Sequence, residues 1–148
     1  MTRTELMKKH KKILKNVSLE CNDGWIWLID ELCDALQWDT DKNKHPQVVA
    51  SQVKEKFATL RFYTNGIDER QDGMIDFVCA FSAKVCERCG SMDKVSVTQG
   101  YWKKSLCVKC MKEELNKYKE GINVDFVKTK TASKKREKNH KKPSKVLV

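Results

Sequence analysis

Cys86-x2-Cys89 and Cys107-x2-Cys110 place four thiols in two close pairs separated by seventeen residues. Two cysteines at that spacing can grip one ion from a single tight turn, and two such turns complete a tetrahedron of sulfur. The chemistry this points to is a structural Zn2+ site with Cys86, Cys89, Cys107 and Cys110 as ligands. An all-sulfur set leaves the metal no open position for water, which separates such a site from a catalytic zinc. Arg88 and Lys109 lie between the ligands and Lys104 lies close by, where cations would offset the charge of four thiolates around one divalent ion.

Other reactive groups are sparse. The histidines are His10 in a basic stretch, His45 in a polar loop and His140 in the lysine-rich tail. None falls near the cysteine quartet in sequence, and no nucleophile-elbow, phosphate-loop or H-E-x-x-H pattern occurs. Cys21 is the one thiol left as a conceivable nucleophile, without a histidine in its motif. The expectation is a non-enzymatic protein. Cys33 and Cys79 sit within apolar helical patterns and are expected as core thiols, and seven cysteines fit metal ligands plus core better than a disulfide framework.

Charge supplies the second chemical signal. The chain is +10 overall; residues 1–16 account for +5 and residues 128–148 for +8, which leaves 17–127 at −3. Lys8, Lys9, Lys11, Lys12 and Lys15 at one end, and Lys134, Lys135, Arg136, Lys138, Lys141 and Lys142 at the other, are therefore the candidate contacts to nucleic acid. Their binding would be salt-dependent and sequence-tolerant. Neither end interleaves aromatics with its cations, so the sequence gives backbone attraction rather than base stacking. Acidic protein surfaces would attract the same ends, which keeps a protein–protein adaptor as the alternative. No apolar run reaches membrane-spanning length, and no apolar segment follows the basic N-terminus, so the expected location is the cytoplasm.

The elements that must position these groups follow from periodicity. Residues 4–16 read as a short basic helix with Leu6, Ile13 and Leu14 as a thin stripe. Trp25, Ile29, Leu32 and Leu36, broadened by Leu28 and Cys33, give an amphipathic helix capped by Asn22 or Asp23. Residues 39–46 read as a polar loop closed by Pro46. Between 47 and 64 the period becomes two, with Val49, Val53 and Phe57 on one face and a turn near 57–59. Arg61 is expected on the solvent face. Residues 68–85 return to helical spacing through Met74, Phe77, Val78, Phe81 and Val85.

After Cys89, Gly90 suits a left-handed turn. Val95-Ser-Val97 and Tyr101-Trp102 read as a short strand pair, and Cys107 and Cys110 open a final helix. Knuckle, hairpin and ligand-bearing helix together make a treble clef. The expected fold is α+β in the order helix, β-hairpin, helix, zinc module, with flexible basic ends. Its boundaries are 1–16 for the N-terminal arm, 17–120 for the domain with its zinc module at 86–118, and 121–148 for a disordered tail. Trp25 is expected in the core, Trp102 over the thiolates, and Trp27 and Trp38 at a partner surface.

Gly24-Trp25, Leu28-Ile29, Leu32-Cys33, Gln52-Val-Lys-Glu-Lys-Phe57, Leu60-Arg-Phe-Tyr63, Cys86-Glu-x-Cys-Gly90 and Trp102…Leu106-Cys107-x-x-Cys110 together resemble a family of small bacterial and phage proteins of unknown function. The resemblance covers residues 21–111. It implies one α+β unit with a four-cysteine zinc site and implies no activity. If the protein is phage-encoded, it would act in the host cytoplasm, on host machinery in the adaptor reading. Ala58 departs from the pattern, which has glycine in that turn, and both basic ends look like additions to the shared core.

Overall fold

The apolar stripe that begins at Trp25 winds into helix α2, Ile26–Asn43, with Ile26, Leu28, Ile29, Leu32, Cys33 and Leu36 buried along it. In the computed structural model the described residues are 1–122. The lysines and arginine proposed above at 134–142, and the tail that carries them, lie outside the described residues. Residues 1–111 form one compact unit, and the chain from 112 onward belongs to a second. The architecture is mixed α+β: α1 (Arg3–Lys9), β1 (Leu19–Glu20), α2, β2 (Ala50–Lys56), β3 (Thr59–Thr64), α3 (Glu69–Phe81), β4 (Ser96–Val97), β5 (Ser105–Leu106) and α4 (Val108–Ile122). Strands β1, β2 and β3 form one sheet in that order, with β1 parallel to β2 and β3 antiparallel to it; β4 and β5 pair antiparallel. Among the described residues no helix is long and apolar enough to cross a membrane.

Helix α2 runs five residues, 39–43, into the segment read as a loop. Gln37 donates to Asp41, Asn43 donates to Asp39, and Thr40 Oγ1 donates to the Leu36 carbonyl. These one-turn links hold 39–43 helical until Lys44 adopts a left-handed φ of 60° just ahead of Pro46. At the other end Asn22 does not cap the helix; a 3-10 turn over Asp23–Trp25 leads directly into it.

The β2–β3 hairpin turns at Phe57 and Ala58, both with positive φ (53° and 63°). That is the two-residue geometry that matches strand twist and favours Asn-Gly, so Ala58 carries the strain expected of a residue standing in for glycine. The inward face differs from simple alternation. A register shift between Ala50 and Gln52 lets Ala50 and Val53 both point inward, together with Val48 ahead of the strand. Val49 is half-buried and Phe57 is exposed at the turn. On α3 the buried positions are Gln71 and Ile75 rather than Phe77, which is exposed. Arg61 is half-buried on β3.

The N-terminal segment is not a flexible arm. After α1 the chain folds through hydrogen-bonded turns from His10 to Ile13 and Leu14, and Ala50 N–H donates to the Ile13 carbonyl. Leu6, Ile13 and Leu14 are fully buried in the main core. Arg3 reaches the Leu19 and Cys21 carbonyls and the Asp23 carboxylate, tying α1 to the chain on either side of β1. Three leucine-class side chains at this burial are together worth several kcal/mol, roughly 2 kcal/mol each, more than enough to fix a short segment.

Candidate metal centre

The two cysteine pairs converge. The Sγ atoms of Cys86, Cys89, Cys107 and Cys110 all lie within 4.8 Å of one another, and those of Cys89 and Cys107 are 3.7 Å apart. Sulfurs bound tetrahedrally at about 2.3 Å from zinc would stand about 3.8 Å apart. The donor set and its spacing therefore fit a tetrahedral metal ion.

Local chain geometry explains the convergence. Gly90 N–H donates to the Cys86 carbonyl and Cys86 N–H to the Ser91 carbonyl, both at 2.8 Å, closing a knuckle around the first pair. Gly90 sits at φ +77°, and a Cβ there would meet the Gly24 carbonyl oxygen at 2.9 Å and Trp27 Nε1 at 3.0 Å, so both conformation and space require glycine. The second pair brackets the start of α4, where Met111 N–H donates to the Cys107 carbonyl. Between the pairs, Ser96 opposes Leu106 and Val97 opposes Ser105, and Thr98 N–H donating to the Lys104 carbonyl extends the ladder. The second strand is thus 105–106, not 101–102, and Tyr101 and Trp102 fall in the connecting loop.

Cys86, Cys107 and Cys110 are buried, and Cys89 is on the exposed edge. Burial acts against the Cys86 thiolate, but N–H groups of Cys107, Cys89 and Arg88 outweigh it and bring that thiol down to about 7. Cys110 is pushed up, first by burial and then by the neighbouring sulfurs. Crowding several sulfurs together in this way is the electrostatic cost that a bound cation would offset. Arg88 Nη1 donates to the Cys110 carbonyl at 3.4 Å. Trp102 does not cover the thiolates; it stands out in solvent.

What fastens this centre to α2 was not apparent from the cysteines. A Cβ on Gly24 would lie 2.3 Å from the Cys86 carbonyl oxygen and 2.6 Å from the Glu87 backbone, so two backbones meet there with no side chain between them. Gly24 N–H donates to the Glu87 carbonyl, Trp25 Nε1 to the Val85 carbonyl at 3.0 Å, and Trp27 Nε1 to the Gly90 carbonyl at 3.3 Å. Asn22 Nδ2 donates to Glu87 Oε1 at 2.6 Å, which explains why it is not used as a helix cap. Glu87 is 1% exposed, burial raises its carboxyl above the usual value, and its Oε2 has no hydrogen-bond partner. Nothing in the sequence around Glu87 signals this burial; its partner Asn22, 65 residues away, reveals it.

The other candidate groups separate into distinct settings. Lys9 Nζ lies 2.8 Å from Asp30 and 2.6 Å from Asp34, and His10 Nε2 lies 2.5 Å from Asp30. These contacts raise the Lys9 ammonium above its ordinary value, Asp30 first among the causes, and commit its charge to α2. Lys8, Lys11, Lys12 and Lys15 are exposed. His45 Nδ1 meets Asp68 at 2.5 Å and its Nε2 lies 3.5 Å from the buried Asp39. Cys33 is fully buried, and Cys79 is partly buried against the same core. Cys21 is pushed up to about 11, chiefly by burial, opposite to what a nucleophilic thiolate needs. Comparison with models of known families, with curated proteins and with solved structures found no match.

Proposed function

We propose that this chain is a zinc-braced, non-enzymatic accessory protein that binds nucleic acid through its basic ends. The metal is read as structural Zn2+ in a treble clef, supported by the hairpin between the two cysteine pairs and by α4 starting at the second pair. The observation that carries the nucleic-acid reading is the division of residues 8–15 into two faces. Ile13 and Leu14 are locked in the core while Lys8, Lys11, Lys12 and Lys15 remain in solvent. Their cations are held on a fixed backbone, so phosphate contacts there cost little ordering entropy. The tail adds +8 over residues 128–148. Lys9, already paired with Asp30 and Asp34, is left out of the contact set.

The test is a salt titration of DNA and RNA binding by the full chain, by a variant lacking residues 123–148, and by Lys8, Lys11, Lys12 and Lys15 changed together to glutamine. Each phosphate contact removed should flatten the dependence of log K on log salt by roughly one. Absence of binding by the full chain even at low salt would sink the reading. The adaptor alternative is favoured by exposed Trp38 and Phe77; it predicts one stoichiometric protein partner that survives nuclease treatment.

A further inference from the structure

The loop between β4 and β5 carries the most exposed aromatic pair among the described residues. Tyr101 is 90% exposed and Trp102 is 73% exposed, with ring centroids 5.5 Å apart and planes at 86°. Leaving two such rings in water forgoes the burial that ordinarily decides where aromatics go. The loop beneath them is pinned. Thr98 Oγ1 donates to the Trp102 carbonyl and accepts from Lys104 N–H, and Thr98 itself is buried. The cysteine pairs lie on either side of this hairpin in the chain, so a metal-braced base presents the rings with little entropy left to lose on contact.

The charge around them narrows the partner. Residues 92–104 carry Lys94, Lys103 and Lys104 against Asp93 alone. Flat apolar faces on a loop of net positive charge suit a polyanion whose subunits are flat, whereas double-stranded nucleic acid keeps its base faces stacked on one another and unavailable. We propose that Tyr101 and Trp102 form a stacking platform for unpaired bases, which makes single-stranded nucleic acid the preferred ligand. The inference rests on the nucleic-acid reading above and adds a contact that the basic ends, which lack aromatics, do not supply.

Stacking of this kind reads neither sugar nor sequence, so oligo(dT) serves as the probe. Full-length, zinc-loaded protein is titrated into labelled oligo(dT) and into a labelled duplex of equal length, with anisotropy and tryptophan emission followed together. The double variant Y101A/W102A should bind oligo(dT) roughly ten-fold more weakly and bind the duplex as the parent does. Y101F/W102F should restore oligo(dT) affinity, and W102F should lose most of the emission quench. All three variants should keep their zinc, because the substituted side chains are exposed. Unchanged oligo(dT) affinity in Y101A/W102A, an equal loss on duplex and single strand, or a parent protein that prefers duplex would overturn the platform while leaving the basic-end reading intact. A parent that binds neither probe would overturn both.

Discussion

Eighteen buried side chains from α1, α2, α3, the three-stranded sheet and the segments joining them make up one core cluster, whereas the hairpin module buries Cys86, Leu106, Cys107 and Cys110. Three helices and a sheet offer enough apolar area to pay for chain entropy by burial alone. The module offers one leucine and three sulfurs. Its four converging sulfurs are the feature that coordination would lock together, while hydrogen bonds and a bare backbone contact fasten the module to the chain leading into α2. The contrast is between a body held by apolar burial and a module whose four sulfurs are spaced to share a single ion.

The largest break in that contrast comes from the ligands. Cys89→Ser and Cys107→Ser should each lose the metal and lower the melting temperature by on the order of 10 °C, with exchange protection lost first over residues 86–111. Stoichiometric zinc in both variants would refute the coordination account. In the body, Leu14→Ala should cost about 2–5 kcal/mol in urea unfolding while metal content stays at parity. A loss below about 0.5 kcal/mol would mean that the N-terminal segment is a loose arm after all.

The junction should respond in both currencies of measurement. Gly24→Ala, forced against the Cys86 and Glu87 backbone, should destabilise by about 2 kcal/mol or more and also weaken zinc retention against a chelator. Gly73→Ala is the control: it lies within α3 with nothing within 4 Å of the added methyl, and should stabilise by about 0.5–1 kcal/mol. Similar losses in the two variants would contradict the close backbone contact.

Acid should give the smallest and most selective effect. Asp39 is held below the usual carboxylate range by Asn43 first and then Arg70, and Asp68 by the Gln71 N–H and then His45. Folded values below unfolded ones mean that this stabilisation is complete above the ordinary Asp value, near pH 4, and is lost as pH falls through the folded values. Thiolate protonation releases metal in acid as well, so the informative quantity is a difference. Asp39→Asn should flatten the decline in stability below about pH 4 relative to the parent; parallel curves would show that Asp39 does not contribute.

Short-range signals carried most of what the sequence revealed. The cysteine spacing, the α2 stripe and the β2–β3 turn each depend on residues within a turn or two of one another, and each appears where expected in type. The misread features depend on distant partners. The extension of α2 to Asn43 follows from polar side-chain links that periodicity does not register. The bulge at Ser51 moves the inward face by one position. Lysine density masked the burial of His10, Ile13 and Leu14, because a pattern of cations looks the same on a free arm and on one face of a docked segment. Asn22 reads as a cap until it is seen to meet Glu87. Zinc as the particular metal, and the nucleic acid, rest on chemistry and not on geometry alone.

The empty space above Gly24 has a consequence for modularity. Many small metal-bound fingers can be cut from one chain and grafted into another, since their surfaces are complete when the ion is bound. Here the knuckle's own backbone is one wall of a seam whose other wall is the 3-10 turn leading into α2, with Trp25 and Asn22 reaching across it. Residues 86–111 are thus not a portable finger. Excised, they would expose a buried glutamate and leave the Glu87 carbonyl without the Gly24 N–H that meets it, and the body would be left with an open groove at the head of its central helix.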